Sequence, residues 1–322
     1  SPKAIFVLTS SVTSIIGTDI VGICDSLQGK VQSRLIPVNS SGLGADYSAG
    51  LRKIYLQLAE LFAKPANAKQ SKRYNILGAS PLHYRAESDI CEIESLLREA
   101  FGYDLLHCFA MNTTTEAIAE LGNAELNIVL AAEALPCAEY LQSVTGTPYV
   151  YLPPYGYSQT TEFLNSVAAV IGQPVKEAML QRLAEKNRRL KMLLNSPLLS
   201  RTPGTVFLKG DYDTVKGLGD FFKELRFNIA HSVCAHKITG AAAEAGIEYF
   251  KEEKDYLQLL KDIRHCLVMA DEDTVAKTDA TNLKICVSHP CFSHRTIAKH
   301  LPFMGERGAD MLFEYIQQYV NM

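Results

Sequence analysis

The densest group of chemically reactive side chains lies near the end of the sequence, between Cys286 and His300. This stretch carries Cys286, His289, Cys291, His294, Arg295, Lys299 and His300. Thiolates and imidazoles are soft ligands that suit transition metals. The stretch follows an apolar run, and ligands of open α/β sheets bind beyond the carboxyl ends of strands. It is therefore a candidate metal or cofactor site. A solvated polar loop is the alternative, because the spacing matches no known ligand set.

Common enzyme signatures do not occur in the sequence. Gly42 and Gly44 lack the Lys-Ser/Thr pair of a phosphate-binding loop, and no G-x-G-x-x-G, H-E-x-x-H, G-x-S-x-G or C-x-x-C is present. The eight cysteines lie mostly in apolar runs, which favours reduced, structural thiols. Binding of an iron–sulfur cluster remains an alternative, because cysteines far apart in sequence can ligate the same cluster.

Composition predicts a globular protein that needs no nucleic acid or membrane. The 322 residues are 47% hydrophobic and 21% charged, with a net charge of -3. That balance gives no electrostatic reason to bind nucleic acid or an anionic membrane. No apolar run is long enough to span a bilayer, and the start at Ser1 lacks a signal-peptide pattern. We therefore expect a cytoplasmic location.

Short apolar runs alternate with amphipathic stretches along the whole chain. These runs lack polar alternation, which is typical of strands covered by helices on both sheet faces. Their order predicts stacked α/β units with parallel sheets flanked by helices. The predicted strands are Ala4–Leu8, Arg34–Val38, Tyr74–Leu77, Leu105–Phe109, Leu126–Leu130, Tyr149–Leu152, Thr205–Leu208, Phe227–Ala230, Cys266–Met269 and Leu283–Val287.

Helix starts and two polar breaks divide the chain. Thr113 and Asp89 each stand three residues before a glutamate, the spacing of a capping box. A long amphipathic helix is predicted over 176–194. The breaks lie at 64–72 and 195–204. They predict a first α/β unit over 1–70 (incomplete at its start), a second over 71–198 with the long helix, and a third over 199–322 with a C-terminal helix.

Six phrases of the sequence, in the same order, resemble the nitrogenase component 1 family. That family includes nitrogenase subunits, cofactor-assembly scaffolds and tetrapyrrole reductases. The phrases are Ala4–Asp19, Tyr74–Gly78 with Glu92–Leu97, Ala124–Leu130, Tyr140–Leu141 with Gly146–Tyr149, Gly156–Phe163 and Pro302–Ala309. Each phrase is weak alone, but their order covers essentially the whole chain.

The resemblance implies an architecture and a set of partners. It implies stacked Rossmann-like units like those of the nitrogenase iron–molybdenum protein, arranged around a cofactor site. It implies a homo- or hetero-oligomer with a component 1 paralogue, and electrons from an ATP-dependent iron protein. An iron–sulfur cluster is implied for the full-length protein or complex, and a tetrapyrrole or metallocluster is a further expected ligand. A segment preceding Ser1 is also expected.

The departures from the family pattern limit the chemistry. The family's cluster cysteine falls at Ser11, and the cofactor cysteine of a dinitrogenase α subunit falls at Ala131. Its cofactor histidine falls near Arg295, beside His294. An alanine cannot ligate iron, so we expect no iron–molybdenum cofactor of the dinitrogenase kind. The candidate cofactor-binding residues are Ser11, Tyr155, Cys291 and His294.

Three functions remain open at this point. The first is a subunit of a nitrogenase-like oxidoreductase that reduces a small molecule or tetrapyrrole. The second is a scaffold or carrier for metal-cofactor assembly without turnover. The third is a small-ligand-binding module without redox chemistry, since a fold does not fix a function. Residues for catalysis and for metal ligation are not assigned.

Overall fold

The computed structural model describes residues 2–39, 46–66, 68–195, 204–237, 246–292 and 299–320. The strands in these ranges are β1 (Ala4–Leu8), β2 (Arg34–Val38), β3 (Arg73–Leu77), β4 (Asp104–Phe109), β5 (Leu126–Val129), β6 (Tyr149–Tyr151), β7 (Thr205–Gly210), β8 (Asn228–Cys234), β9 (Leu267–Ala270) and β10 (Leu283–Cys286). Every predicted strand is therefore present, and the largest difference is at the end of β8.

Helices fill most of the connections between strands. They are α1 (Ser11–Ile15), α2 (Ile20–Gln28), α3 (Tyr47–Phe62), α4 (Ala86–Phe101), α5 (Thr115–Ala119), α6 (Leu135–Thr145), α7 (Gly156–Ile171), α8 (Glu177–Leu194), α9 (Tyr212–Glu224), α10 (Glu253–Asp262), α11 (Glu272–Lys277) and α12 (Gly305–Val320). In the described ranges, no helix combines the length and apolar character needed to cross a membrane.

The strands form three sheets, and every pairing between them is parallel. The orders are β1-β2, β4-β3-β5-β6 and β10-β9-β7-β8. Parallel neighbours need a crossover connection, which the intervening helices provide. The predicted α/β class with parallel sheets is confirmed. One sheet lies in each predicted unit, while the unit boundaries stay a prediction.

The second and third sheets share one hydrophobic core. Ile76 lies beside Ile128 in the second sheet, and Leu208 lies beside Met269 in the third. All four side chains are fully buried and belong to the same cluster. Phe222 of α9, also fully buried, belongs to that cluster. A hinge motion between these two sheets would therefore have to break a continuous core.

The C-terminal helix α12 returns to pack on α4 and α7 of the second unit. The Asp89 Oδ1 atom accepts the backbone N–H groups of Phe303 and Met304 at 2.7 and 2.9 Å. Glu92 accepts the N–H group of Arg307 and also pairs with its guanidinium. Carboxylates of α4 thus bind the first, otherwise unpaired N–H groups around the start of α12.

This arrangement makes the helix start predicted at Asp89 wrong. Helix α4 begins at Ala86, so Asp89 and Glu92 lie inside it, and both are buried. Their carboxylates accept N–H groups around the start of α12 instead of capping their own helix. The local spacing is that of a capping box, but the acceptors are used by a segment more than 200 positions away.

The start predicted at Thr113 is displaced by one residue. The Thr114 hydroxyl oxygen accepts the Ala117 N–H and caps α5. The Thr113 hydroxyl instead donates to the Cys108 carbonyl at 2.7 Å. Because that hydroxyl already has a partner in the preceding turn, the neighbouring threonine takes the capping role.

Candidate functional site

A small cavity lies where the carboxyl ends of the second and third sheets meet. His83 and Leu130 come from the segments after β3 and β5, and Tyr155 follows β6. Thr214 and Val287 follow β7 and β10 of the third sheet. Strands of open α/β sheets present ligand sites at this end. The cavity is therefore the candidate functional site of the described chain.

Tyr155 is buried in the wall of this cavity. Its hydroxyl lies 3.3 Å from the Thr214 hydroxyl, which donates to the Asp211 carboxylate at 2.9 Å. Since the Thr214 proton is used in that bond, the Tyr155 hydroxyl is the donor in the first. Burial raises the pKa of Tyr155 well above its ordinary value. The side chain is thus a neutral hydrogen-bond donor at the site.

Asp213 is the most unusual acid in the cavity wall. The Tyr151 hydroxyl donates to its Oδ1 at 2.5 Å, and the Ala132 N–H donates to its Oδ2 at 2.7 Å. Burial raises the pKa of Asp213 from 3.8 to about 8, although both hydrogen bonds act in the opposite direction. No cation among the described residues lies within ion-pairing distance of it. Burial therefore favours the neutral, protonated form of Asp213 near pH 7.

Asp89 is a second buried acid in the same wall. Burial raises its pKa from 3.8 to about 7, against the lowering effect of the Phe303 and Met304 N–H groups. Carboxylic acids that keep a proton near pH 7 are the groups that enzymes use as general acids. The cavity therefore presents two groups able to give up a proton under ordinary conditions.

Asp213 makes the stability of the chain depend on pH with a definite sign. The folded chain keeps this proton up to about pH 8, whereas the unfolded chain releases it near pH 4. The stabilisation is complete below the lower pKa and is lost as pH rises through the upper one. Asp213→Asn cannot ionise, and its single amide oxygen keeps one of the two hydrogen bonds. We expect the stability of Asp213→Asn relative to the unchanged chain to rise with pH by up to about 1.4 kcal/mol per unit.

Urea unfolding midpoints between about pH 5 and pH 8 measure this difference. The matched control is Asp220→Asn on the same helix, because Asp220 is half-exposed and pairs with Lys216 on the surface. A difference in stability between the unchanged chain and Asp213→Asn that stays constant over this pH range would show that Asp213 is already ionised in the folded chain.

A buried polar junction stands beside the cavity. The Ser48 hydroxyl donates to Glu133 at 2.6 Å, and His236 Nε2 lies 3.6 Å from the same carboxylate. His236 Nε2 also accepts the Tyr212 N–H at 3.2 Å, so the proton of the neutral ring lies on Nδ1. All three units contribute to this junction. The junction therefore links α3 to the segments that follow β5, β7 and β8.

The structure places the four predicted cofactor-binding residues in different environments. Tyr155 lines the cavity. Ser11 is exposed at the start of α1, and Cys291 is 1% exposed within the core of the third sheet. His294 lies outside the described residues. Neither Ser11 nor Cys291 lines the cavity. Cofactor binding by these residues stays a prediction.

The described residues do not fit an iron–sulfur cluster. Among them, no group of three or more His, Cys, Asp or Glu side chains could hold a metal ion. Burial, followed by the neighbouring Cys291, raises the pKa of Cys286 to about 12, so that thiol stays protonated. Ala131 is buried, and its backbone nitrogen would lie 3.0 Å from a Cβ at Gly78. Within the described ranges, a cluster would therefore lack a group of protein ligands on this chain.

The sequence profile of the nitrogenase component 1 type oxidoreductases matches residues 1–321. The parallel sheets, and the site at their carboxyl ends, define an α/β protein of this class. The chain belongs to the nitrogenase component 1 type oxidoreductase family. The predicted family is thereby confirmed.

Individual relatives and a solved structure refine this picture. The B subunit of the light-independent protochlorophyllide reductase of Jannaschia sp. (strain CCS1) is 28% identical over 97% of this chain and 61% of its own length. The nitrogenase iron–molybdenum cofactor biosynthesis protein NifE of Clostridium pasteurianum is 26% identical over 58% of this chain and 41% of its own. The nitrogenase Cp1 structure at pH 6.5 superposes with a TM-score of 0.75 at 17% identity, covering 99% of this chain and 76% of that one. The chain therefore spans about three fifths of the protochlorophyllide reductase polypeptide that it matches.

Proposed function

We propose that the chain is a subunit of a nitrogenase-like reductase whose substrate is a tetrapyrrole or another small unsaturated molecule. The observation that carries the proposal is that 97% of the chain aligns with a protochlorophyllide reductase subunit, at 28% identity. Electrons come from an ATP-dependent iron protein. The chain contributes binding surface and neutral acids, Asp89 and Asp213, while a partner supplies the iron–sulfur cluster that the described residues do not fit.

An exposed apolar surface at the first sheet supports a subunit partner. Leu8, Val12, Ile15 and Ile16 are between 67% and 72% exposed, and Ser11 lies among them. Large apolar side chains grouped in this way are typical of interaction surfaces. We propose that a component 1 paralogue, or a second copy of this chain, covers this surface.

The test is reconstituted turnover. The protein is assayed without oxygen together with its paralogous subunit, a matched iron protein, ATP and protochlorophyllide. We expect an absorbance change of the pigment that requires both ATP and the iron protein. Omitting ATP and omitting this chain are the two controls. Failure of the complete mixture with protochlorophyllide and with other tetrapyrroles would exclude a tetrapyrrole reductase.

A scaffold or carrier for metal-cofactor assembly is the second candidate. It is supported by the similarity to NifE and by Ala131, which cannot ligate iron where the resemblance places a cysteine. A carrier would bind a preformed metallocluster or tetrapyrrole and release it intact to an acceptor. Stoichiometric binding followed by transfer, with no ATP-dependent reduction of the ligand, would favour this function over the reductase.

A further inference from the structure

The cavity at the sheet ends is sized for water. The space open to the centre of a water molecule is about 30 Å³. One water needs about 10–15 Å³ of such space, so the cavity holds about two. Pockets that bury a small-molecule ligand measure about 300–1,000 Å³. A tetrapyrrole therefore does not enter this cavity and would lie across its mouth.

The walls supply the polar partners that such waters require. Asp89 and Asp213 are 6% exposed each and form the buried part of the wall. His83 and Asp211 are only half-buried and lie towards solvent. A buried water makes two to four hydrogen bonds, and these side chains with the Tyr155 hydroxyl provide them. The cavity wall therefore carries two buried acids together with polar groups that lie nearer to solvent.

The hydrogen bonds of Asp89 define where its proton sits. Both backbone N–H groups that Asp89 accepts reach the same oxygen, Oδ1. Oδ2 is therefore the oxygen that carries the acidic proton. On Asp213, Oδ1 accepts the Tyr151 hydroxyl and Oδ2 accepts the Ala132 N–H, so the acidic proton occupies a remaining lone pair of one of these oxygens.

We propose that this cavity is a water-filled proton relay in which Asp89 and Asp213 deliver protons to the substrate reduced at its mouth. The inference rests on the proposed reductase function. Reduction of a double bond, X=Y to HX–YH, consumes two electrons and two protons. The electrons come from the iron protein, and the protons from the two carboxyl groups. The resulting carboxylates regain protons from bulk water along the cavity.

Three variants test the relay in the reconstituted complex. Asp89→Asn and Asp213→Asn carry no acidic proton. The Asp89→Asn oxygen can still accept both N–H groups, and the Asp213→Asn oxygen can accept one of its two donors. Ala79→Val, at a buried wall residue, fills the cavity and leaves both acids in place. We expect each to lower kcat about 100-fold with KM unchanged, because general acids contribute about 10²–10⁴-fold to rates. Asp220→Asn is the control and should behave as the unchanged protein.

Two further readouts separate proton delivery from a structural role. The unchanged protein should lose kcat above about pH 7–8 as the acids ionise, and in each Asn variant only the remaining acid should contribute to this loss. Infrared spectra near pH 6 should show the C=O stretch of a protonated carboxylic acid, weakened in each Asn variant. A missing band in the unchanged protein would overturn the relay whatever the activity.

The outcomes distinguish the relay from the function on which it rests. If the unchanged protein reduces the pigment and all three variants keep its kcat and pH profile, the relay is wrong and the reductase stands. If the unchanged protein shows no ATP-dependent reduction, the proposed function is wrong and the relay fails with it. Loss of kcat in both Asn variants and in Ala79→Val, with each variant still folded in the absence of urea, supports both.

Discussion

Phe222→Ala is expected to lower the free energy of unfolding by about 3–5 kcal/mol, the range for deleting a buried aromatic ring. Phe222 is fully buried and packs edge-on against Phe221 and Phe227, with centroids 5.2 and 5.3 Å away. It belongs to the core that joins the second and third sheets. The variant should therefore destabilise both sheets together, although Phe222 belongs to the third unit alone.

Hydrogen exchange of strand amides measures this coupling. Amides of β3 and β5 in the second sheet, and of β7 and β9 in the third, should lose protection by the same factor. The control is Phe292→Ala, since the Phe292 ring is 74% exposed and its removal should change stability by less than about 0.5 kcal/mol. Loss of protection confined to the third sheet would show that the two sheets fold as separate units.

The strands can be predicted from the sequence because their environment is simple. Strands covered on both faces become continuous apolar runs, and most of these runs end within two residues of the observed bounds. The prediction for β8 stops at Ala230, four residues early, because His231 and Ser232 interrupt the apolar pattern. His231 pairs with Glu248 at 2.8 Å, so a long-range contact accommodates the polar residue in the strand.

The candidate site is predicted less completely, for a physical reason. Tyr155 can be identified because it follows a strand and a pair of prolines. Asp211 and Asp213 were missed, although an Asp-x-Asp pair directly after a buried strand is a readable signal for the carboxyl end of a sheet. Asp89 has no such signal. Its burial depends on a loop more than 200 positions away, which no local pattern encodes.

Ion pairs between different helices also cannot be predicted from the sequence. The predicted helix over 176–194 is confirmed, but its charged side is not simply solvated. Arg182 binds Glu99 of α4 and Glu306 of α12, and Lys186 binds Asp310. These partners lie on other helices, so only the packing of α4, α8 and α12 reveals them. The cations of α8 thus help to fix α12 over the cavity.

Asp89→Ala is expected to release the start of α12. The change removes the acceptor of two buried N–H groups, those of Phe303 and Met304. Leaving each unpaired costs about 1–3 kcal/mol, so we expect a loss of about 2–6 kcal/mol. Urea unfolding measures the total. Hydrogen exchange should show the largest loss of protection in α12, before the strands of either sheet.

Asp89→Asn separates this structural contribution from the acid's chemistry. Its amide oxygen still accepts both N–H groups, so we expect it to stay within about 1 kcal/mol of the unchanged chain. Asp89→Asn should thus keep α12 in place while losing proton delivery, whereas Asp89→Ala should lose both. Asp89→Ala could instead unfold at the same urea concentration as Asp89→Asn. In that case water would accept hydrogen bonds from the two N–H groups, and Glu92 and the surrounding ion pairs would hold the start of α12.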